Sequence, residues 1–127
     1  MKKVTDNGGK AQACVGDITN KEHRAKIRQF IEEKFGKLDV LVVNHAVGGA
    51  SFGVLNTSED QWDAMYDTNL KSYFFLVKEL YPLIKKVKGN ILFNTSHVAY
   101  HMDRILGVYS MLKAALVAMN KVFAKEF

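Results

Sequence analysis

The 127-residue chain holds one cysteine (Cys14), one proline (Pro82) and one tryptophan (Trp62). A lone cysteine excludes an internal disulfide framework and fits a reducing compartment. A single proline beside nine glycines excludes collagen-like and Pro-rich classes. No apolar run approaches the roughly 20 residues that cross a bilayer. The opening Met1-Lys2-Lys3-Val4-Thr5-Asp6 turns polar at once, without the apolar core of a signal peptide. Charge of one sign is also scarce: 18 Lys+Arg stand against 13 Asp+Glu, a net +5. The one basic cluster, Lys85-Lys86-Val87-Lys88, suits the negative pole of a helix end. Its rival is a weak polyanion patch. No aromatics interleave with it as single-strand binding requires, so no nucleic acid is expected.

What is present reads as one globular domain. The apolar fraction of 48% excludes wholesale disorder, and the length suits one domain better than two. The hydrophobic period alternates along the chain. Residues 11–18 (AQACVGDI) read as a strand, with Cys14 as a small buried residue within it. Thr19-x-x-Glu22 is a capping-box signature, followed by Ile27, Phe30, Ile31 and Phe35 at helical spacing and by Gly36 as the stop. Residues 38–43 (LDVLVV) suit a buried parallel strand. A loop with Gly48, Gly49, Ser51 and Gly53 comes next. Ser58-x-x-Gln61 is a second cap, opening a helical stripe from Trp62 through Met65, Leu70, Tyr73 and Val77 to about Lys86. Pro82 predicts a kink or bend in that helix. Residues 90–94 (NILFN) form a third strand candidate, and Val108, Leu112, Leu116, Met119 and Phe123 mark a last helix.

Strands that alternate with helices imply an α/β fold with a parallel sheet and helices on both faces. Ligands of such sheets bind beyond the carboxyl ends of the strands. Attention therefore falls on Asp17, on Asn44 to Val47, and on Thr95-Ser96. Further on, Tyr109 and Lys113 stand at i and i+4, on one face of a helix. A nearby ammonium favours the phenolate, so such a tyrosine can exchange protons closer to neutral pH. Taken alone, the pair better suits a partly exposed tyrosine beside a solvated lysine, since two common residues at one spacing recur by chance. Ser96 stands 13 residues before Tyr109, and Asn69 interrupts the apolar stripe of the middle helix. A buried asparagine on a helix needs a hydrogen-bonding reason.

Four motifs in register resemble the short-chain dehydrogenase/reductase family. They are Asn44-His45-Ala46-Val47 after a strand, Asn69 in the following helix, Ser96, and Tyr109-x-x-x-Lys113. Asn-x-Ala-Val and Ala99-Tyr100-His101 resemble the NADP-dependent carbonyl reductase and retinol dehydrogenase branch. The resemblance implies a Rossmann-like doubly wound parallel sheet. It implies an oxidoreductase that moves a hydride between NADP (or NAD) and a carbonyl/alcohol substrate. Tyr109 would pass a proton to or from the substrate oxygen, and Ser96 would donate a hydrogen bond to that oxygen. Lys113 would lower the Tyr109 pKa and hold the nicotinamide ribose, and Asn69 would hold a water between Lys113 and solvent. Asn44 and Ala46 would shape the sheet edge along the cofactor, and Asp17 would approach the adenine. A homo-oligomer, built through the long central helix and the catalytic helix, is implied too. The compartment would be intracellular, cytoplasmic or peroxisomal.

Two departures stand inside the motif: His45 replaces its second asparagine, and Val47 replaces its glycine. A third departure is larger. No Gly-rich phosphate loop opens a helix before residue 11, and Gly8-Gly9 reads as a polar turn. Residues 1–127 are therefore expected to be the central part of one Rossmann-type domain. Three strands are expected, without the Gly-rich unit or the closing strands. Such a chain is expected to be inactive alone and poorly stable. The alternative is a non-catalytic truncated isoform that binds full-length subunits. His97 and His101 have metal-friendly spacing but no third ligand, so no metal is expected. His23 reads as simply exposed, and Trp62, Phe74 and Phe75 as core or packing-face residues.

Overall fold

The computed structural model describes residues 2–48 and 54–127; Gly49, Ser51 and Gly53 of the expected loop lie outside the described residues. The order is α1 (Lys2–Asp6), α2 (Lys21–Phe35), β1 (Val40–Val43), a short 3₁₀ turn (Val54–Asn56), α3 (Glu59–Tyr66), a π turn (Asp67–Lys71), α4 (Ser72–Lys85), β2 (Asn90–Phe93), a second 3₁₀ turn (His97–Ala99) and α5 (Gly107–Glu126). β1 and β2 pair in parallel, Val40 opposite Asn90 and Val43 opposite Phe93.

Among the described residues the sheet has two strands, not three. The expected strand at residues 11–18 is not formed. That stretch has no regular secondary structure and pairs with no strand, with Val15 96% exposed and Cys14 exposed. A strand makes no hydrogen bonds within itself, so an apolar pattern without a neighbouring strand stays an open segment. α2 begins one residue later than expected. Its cap is Asn20, whose side chain accepts from His23 N–H at 3.0 Å. Thr19 is engaged elsewhere: its hydroxyl donates to Asp17 at 2.8 Å. Gly36 ends α2 in the left-handed region, φ 69°, where only glycine is unstrained. Ser58 and Gln61 form the expected capping box of α3.

The middle helix departs from regular α geometry at Asp67–Lys71, where the chain widens into a π turn before α4. Pro82 sits inside α4. π turns inside α-helices gather at functional sites, and this one carries Asn69.

The core lies on one face of the sheet. Tyr73, Leu76, Val77, Leu80, Leu83 and Ile84 of α4 pack with Val43 and with Leu116 of α5. Ile27 and Ile31 of α2 and Leu41, Ile91 and Phe93 of the strands close around them. The helices were expected on both faces. Instead α2, α4 and α5 cover one face, and the alternate strand residues Val40, Val42 and Leu92 are exposed. Trp62, Phe74 and Phe75 also remain exposed rather than core. Phe74 stacks on Phe123, and the Arg24 guanidinium lies over the Phe75 ring.

Candidate active site

The site forms where β1 and β2 end, because both strands run the same way and release their chains toward α5. Asn44 and Asn94 follow the two strands directly. Their side chains meet, the Asn94 amide donating to Asn44 Oδ1 at 2.5 Å. The Asn94 carbonyl accepts from Lys113 Nζ at 3.0 Å. Lys113 is only 2% exposed, so α5 places its ammonium beneath the sheet end. That burial pulls its amine below the usual lysine range. The Nζ also lies 5.6 Å from the Tyr109 ring centroid and 5.4 Å from that of Tyr73. Tyr109, one turn earlier on α5, is half-buried.

Ser96 caps the second 3₁₀ turn, its hydroxyl accepting from Val98 N–H at 3.3 Å. It is half-buried and sits two residues past the Asn94 carbonyl that holds Lys113. Asn69 is fully buried and hydrogen-bonded at both ends of its amide. It accepts from Val47 N–H at 2.8 Å and donates to Val47 O at 2.8 Å. The π turn thereby fixes the loop that leaves β1.

His45 lies in that loop. Its ring Nε2 is 2.6 Å from the Ser72 hydroxyl, which donates to the Thr68 carbonyl at 2.6 Å. With its one proton given to Thr68, Ser72 oxygen accepts from an Nε2–H imidazole. Burial, and then the Lys113 charge, hold the His45 imidazole below its usual range. The Tyr73 hydroxyl donates to the His45 carbonyl at 2.7 Å, and burial pushes its phenol up to about 12.

Asp17 stands apart from this cluster. The Thr19 backbone N–H, then the Thr19 hydroxyl, hold its carboxyl below the usual range. Its own N–H donates to His23 Nδ1 at 2.8 Å, so His23 clamps the chain entering α2 rather than merely facing solvent. Asp17 and Val47 meet across a cleft of about 500 Å³, which Gly48, Met65 and Thr68 also line. Asn44 and Ala46 are exposed at the carboxyl end of β1. The structure thus brings Asn44, Ser96, Tyr109 and Lys113 to one sheet end, with Asn69 behind the loop and Asp17 across the neighbouring cleft. Sequence reasoning missed Asn94, Tyr73 and Ser72. A polar residue directly after an apolar strand could have pointed to Asn94; Tyr73 is indistinguishable from the core stripe around it.

The family model described as enoyl-(acyl carrier protein) reductase matches residues 1–127. The chain belongs to the short-chain dehydrogenase/reductase family. Dehydrogenase/reductase SDR family member 4 of Caenorhabditis elegans is 32% identical over 116 residues, covering 91% of this chain and 45% of that protein. The 3beta-hydroxysteroid dehydrogenase of Mediterraneibacter gnavus is 38% identical over 124 residues, covering 98% and 45%. Among solved structures, a short-chain dehydrogenase/reductase from Saccharomyces cerevisiae superposes with a TM-score of 0.90 at 29% identity, covering 99% of this chain and 50% of that one. An alcohol dehydrogenase from Thermococcus sibiricus, complexed with 5-hydroxy-NADP, gives a TM-score of 0.91 at 24% identity, covering 98% and 53%. The likeness extends to the fold, which is Rossmann-like α/β. This short-chain dehydrogenase/reductase chain spans about half the length of the relatives it matches. Among its described residues no three His, Cys, Asp or Glu side chains gather as metal ligands, and no helix is long and apolar enough to cross a membrane.

Proposed function

We propose that this chain carries the proton-transfer half of an NADP-dependent oxidoreductase, NAD being the alternative cofactor, that interconverts a small carbonyl compound and its alcohol. The carrying observation is Lys113: a buried ammonium, held by the Asn94 carbonyl at the end of β2, one helical turn from Tyr109. The nicotinamide, when bound, supplies or accepts the hydride. Tyr109 gives a proton to the nascent alkoxide in reduction and takes it from the alcohol in oxidation. Ser96 donates a hydrogen bond to the same oxygen, where charge develops. Lys113 sets its charge beside Tyr109 and would hold the nicotinamide ribose. Asn44 and Ala46 would hold the cofactor at the sheet edge, and Asp17 would approach its adenine. Asn69 acts by fixing the Val47 backbone. Its bonds to Val47 use one lone pair of its Oδ1 and one N–H of its Nδ2.

The fit to the dinucleotide is partial. Two acceptors hold Lys113, which leaves its third N–H for a ribose hydroxyl. No pyrophosphate cradle comes from Gly8 and Gly9. Their amides donate to the Thr5 and Val4 carbonyls at 3.0 and 2.9 Å and close α1. We therefore read residues 1–127 as the central part of one Rossmann-type domain, inactive in isolation. Calorimetric titration of the chain with NADPH and NADH tests this, and micromolar binding overturns it. In a protein of the relatives' length that carries this segment, Tyr109→Phe is expected to lower kcat by several orders of magnitude with cofactor affinity nearly unchanged. Wild-type turnover in that variant removes Tyr109 from the chemistry. The exposed Trp62, Phe74, Met111 and Val122 on α3, α4 and α5 favour a homo-oligomer built through those helices. A cytoplasmic or peroxisomal setting is proposed with it.

One observation favours a second reading, a non-catalytic chain that assembles with longer subunits. Val40, Val42 and Leu92 are uncovered on the sheet. An aromatic cleft of about 550 Å³, lined by Tyr81, Phe93, Phe123 and Phe127, also runs beside β2. Size-exclusion chromatography with and without a full-length subunit separates the readings. Co-elution without cofactor binding supports the second.

A further inference from the structure

Tyr73 belongs to no family motif found in the sequence, yet it is fully buried and touches the central cation. Its hydroxyl proton goes to the His45 carbonyl at 2.7 Å, so its lone pairs are left to face Lys113 Nζ, which donates to it at 3.5 Å. We propose that Tyr73 is a positioning residue for Lys113, linking that ammonium to the loop after β1; this rests on the reading of Lys113 as the cation of the active site.

The geometry favours positioning over proton relay. A carbonyl cannot pass a proton onward, so a path from Lys113 through Tyr73 ends at His45. Two acceptors instead fix the ammonium from different elements, the Asn94 carbonyl from the end of β2 and the Tyr73 hydroxyl from α4. The hydroxyl is itself fixed. The His45 and Tyr73 rings pack with centroids 4.4 Å apart, and the His45 ring is tied to Ser72 on the same helix. The titratable groups facing Lys113 are Tyr73 from α4, His45 from the loop and Tyr109 from α5.

The test is an NMR titration of the whole chain labelled with ¹³C at the lysine Cε and tyrosine Cζ positions. Tyr73→Phe keeps the ring and removes the acceptor. The Lys113 midpoint is expected to fall by about one unit, because a hydrogen bond to the charged form is lost, while the other lysines stay in place. An unchanged Lys113 midpoint with only a lower melting temperature makes Tyr73 a core residue and overturns the proposal. A second readout needs no variant. In the wild-type chain the Tyr73 Cζ resonance is expected to shift through the Lys113 midpoint, and a flat trace there also overturns it. Neither readout uses cofactor or turnover. A chain that binds no nicotinamide still decides the role of Tyr73, and a failure here leaves Tyr109 and Ser96 to their own test.

Discussion

Removing the Asn69 amide is expected to release the loop after β1 by a predictable amount. The side chain makes two 2.8 Å hydrogen bonds to one residue, accepting from Val47 N–H and donating to Val47 O. Each is worth about 1 kcal/mol net. Val47 itself is 40% exposed, so its freed groups reach water and avoid the full desolvation penalty. Asn69→Ala adds a small cavity at a site with no exposure. The total is about 2–3 kcal/mol. Native-state hydrogen exchange at the Val47 amide reads this locally: about 2 kcal/mol is a roughly 30-fold loss of protection.

Asn69→Asp sharpens the test, because it changes one donor into an acceptor and little else. The carboxylate still accepts from Val47 N–H but now faces the Val47 carbonyl, oxygen against oxygen, as a charge with no exposure. Its cost at neutral pH is expected to exceed that of Ala, at about 3–5 kcal/mol. Burial raises the carboxyl pKa above the unfolded value of about 3.9, so the neutral acid is the form the fold prefers. Linkage then makes the deficit shrink as pH falls through the raised folded pKa, by up to about 1.4 kcal/mol per unit. The protonated acid restores a donor to Val47 O. Urea midpoints of both variants against pH check this. A deficit for Asn69→Asp that is smaller than that for Ala at neutral pH, or that does not shrink in acid, refutes the two-bond geometry.

His45 gives a second pH-dependent outcome. Its folded pKa is depressed, so below about pH 6.5 the unfolded chain takes up a proton that the folded chain does not. Stability is expected to fall with pH from there to the folded pKa, and His45→Gln is expected to flatten that limb; equal slopes for both chains would clear His45. Gly89→Ala places a Cβ 2.5 Å from Asp39 O and 2.7 Å from Leu38 O, both rigid backbone atoms at the start of β1. A loss of roughly 2 kcal/mol or more is expected in thermal unfolding, and a wild-type Tm would show that the strand entry shifts freely.

The helices from α2 onward were the most legible part of the fold, since each carries its own hydrogen bonds, and α2 and α3 carry their own punctuation. Gly36, Ser58 and Gln61 act where the sequence places them, because their chemistry is local. Residues 11–18 show the opposite case. The pattern says which residues suit a sheet, and a paired strand needs a neighbour that no local pattern contains. The shift of the α2 cap from Thr19 to Asn20 has a comparable cause. Both residues can cap, and the Asp17 carboxylate decides between them by engaging Thr19. The π turn was invisible except as an asparagine in an apolar stripe. Its reason is tertiary, a loop backbone that Asn69 reaches across 22 residues.

The glycine-to-valine departure from the family motif loses its weight once the contacts at Val47 are seen. His45 and Val47 stand where the motif has asparagine and glycine; Val47 meets the site through its main chain alone, His45 through its carbonyl and its ring. His45 offers its carbonyl to Tyr73, and Val47 offers its N–H and carbonyl to Asn69. Lys113 is likewise held by a carbonyl, that of Asn94. A scaffold that positions its cation through backbone atoms tolerates side-chain changes at the residues that supply them, provided the backbone path is kept. The side chains whose own atoms enter the network, His45, Asn69, Tyr73 and Lys113, have no such freedom. The glycine-to-valine departure falls where backbone atoms make the contacts, and the motif is kept at Asn69 and Lys113, where side chains do.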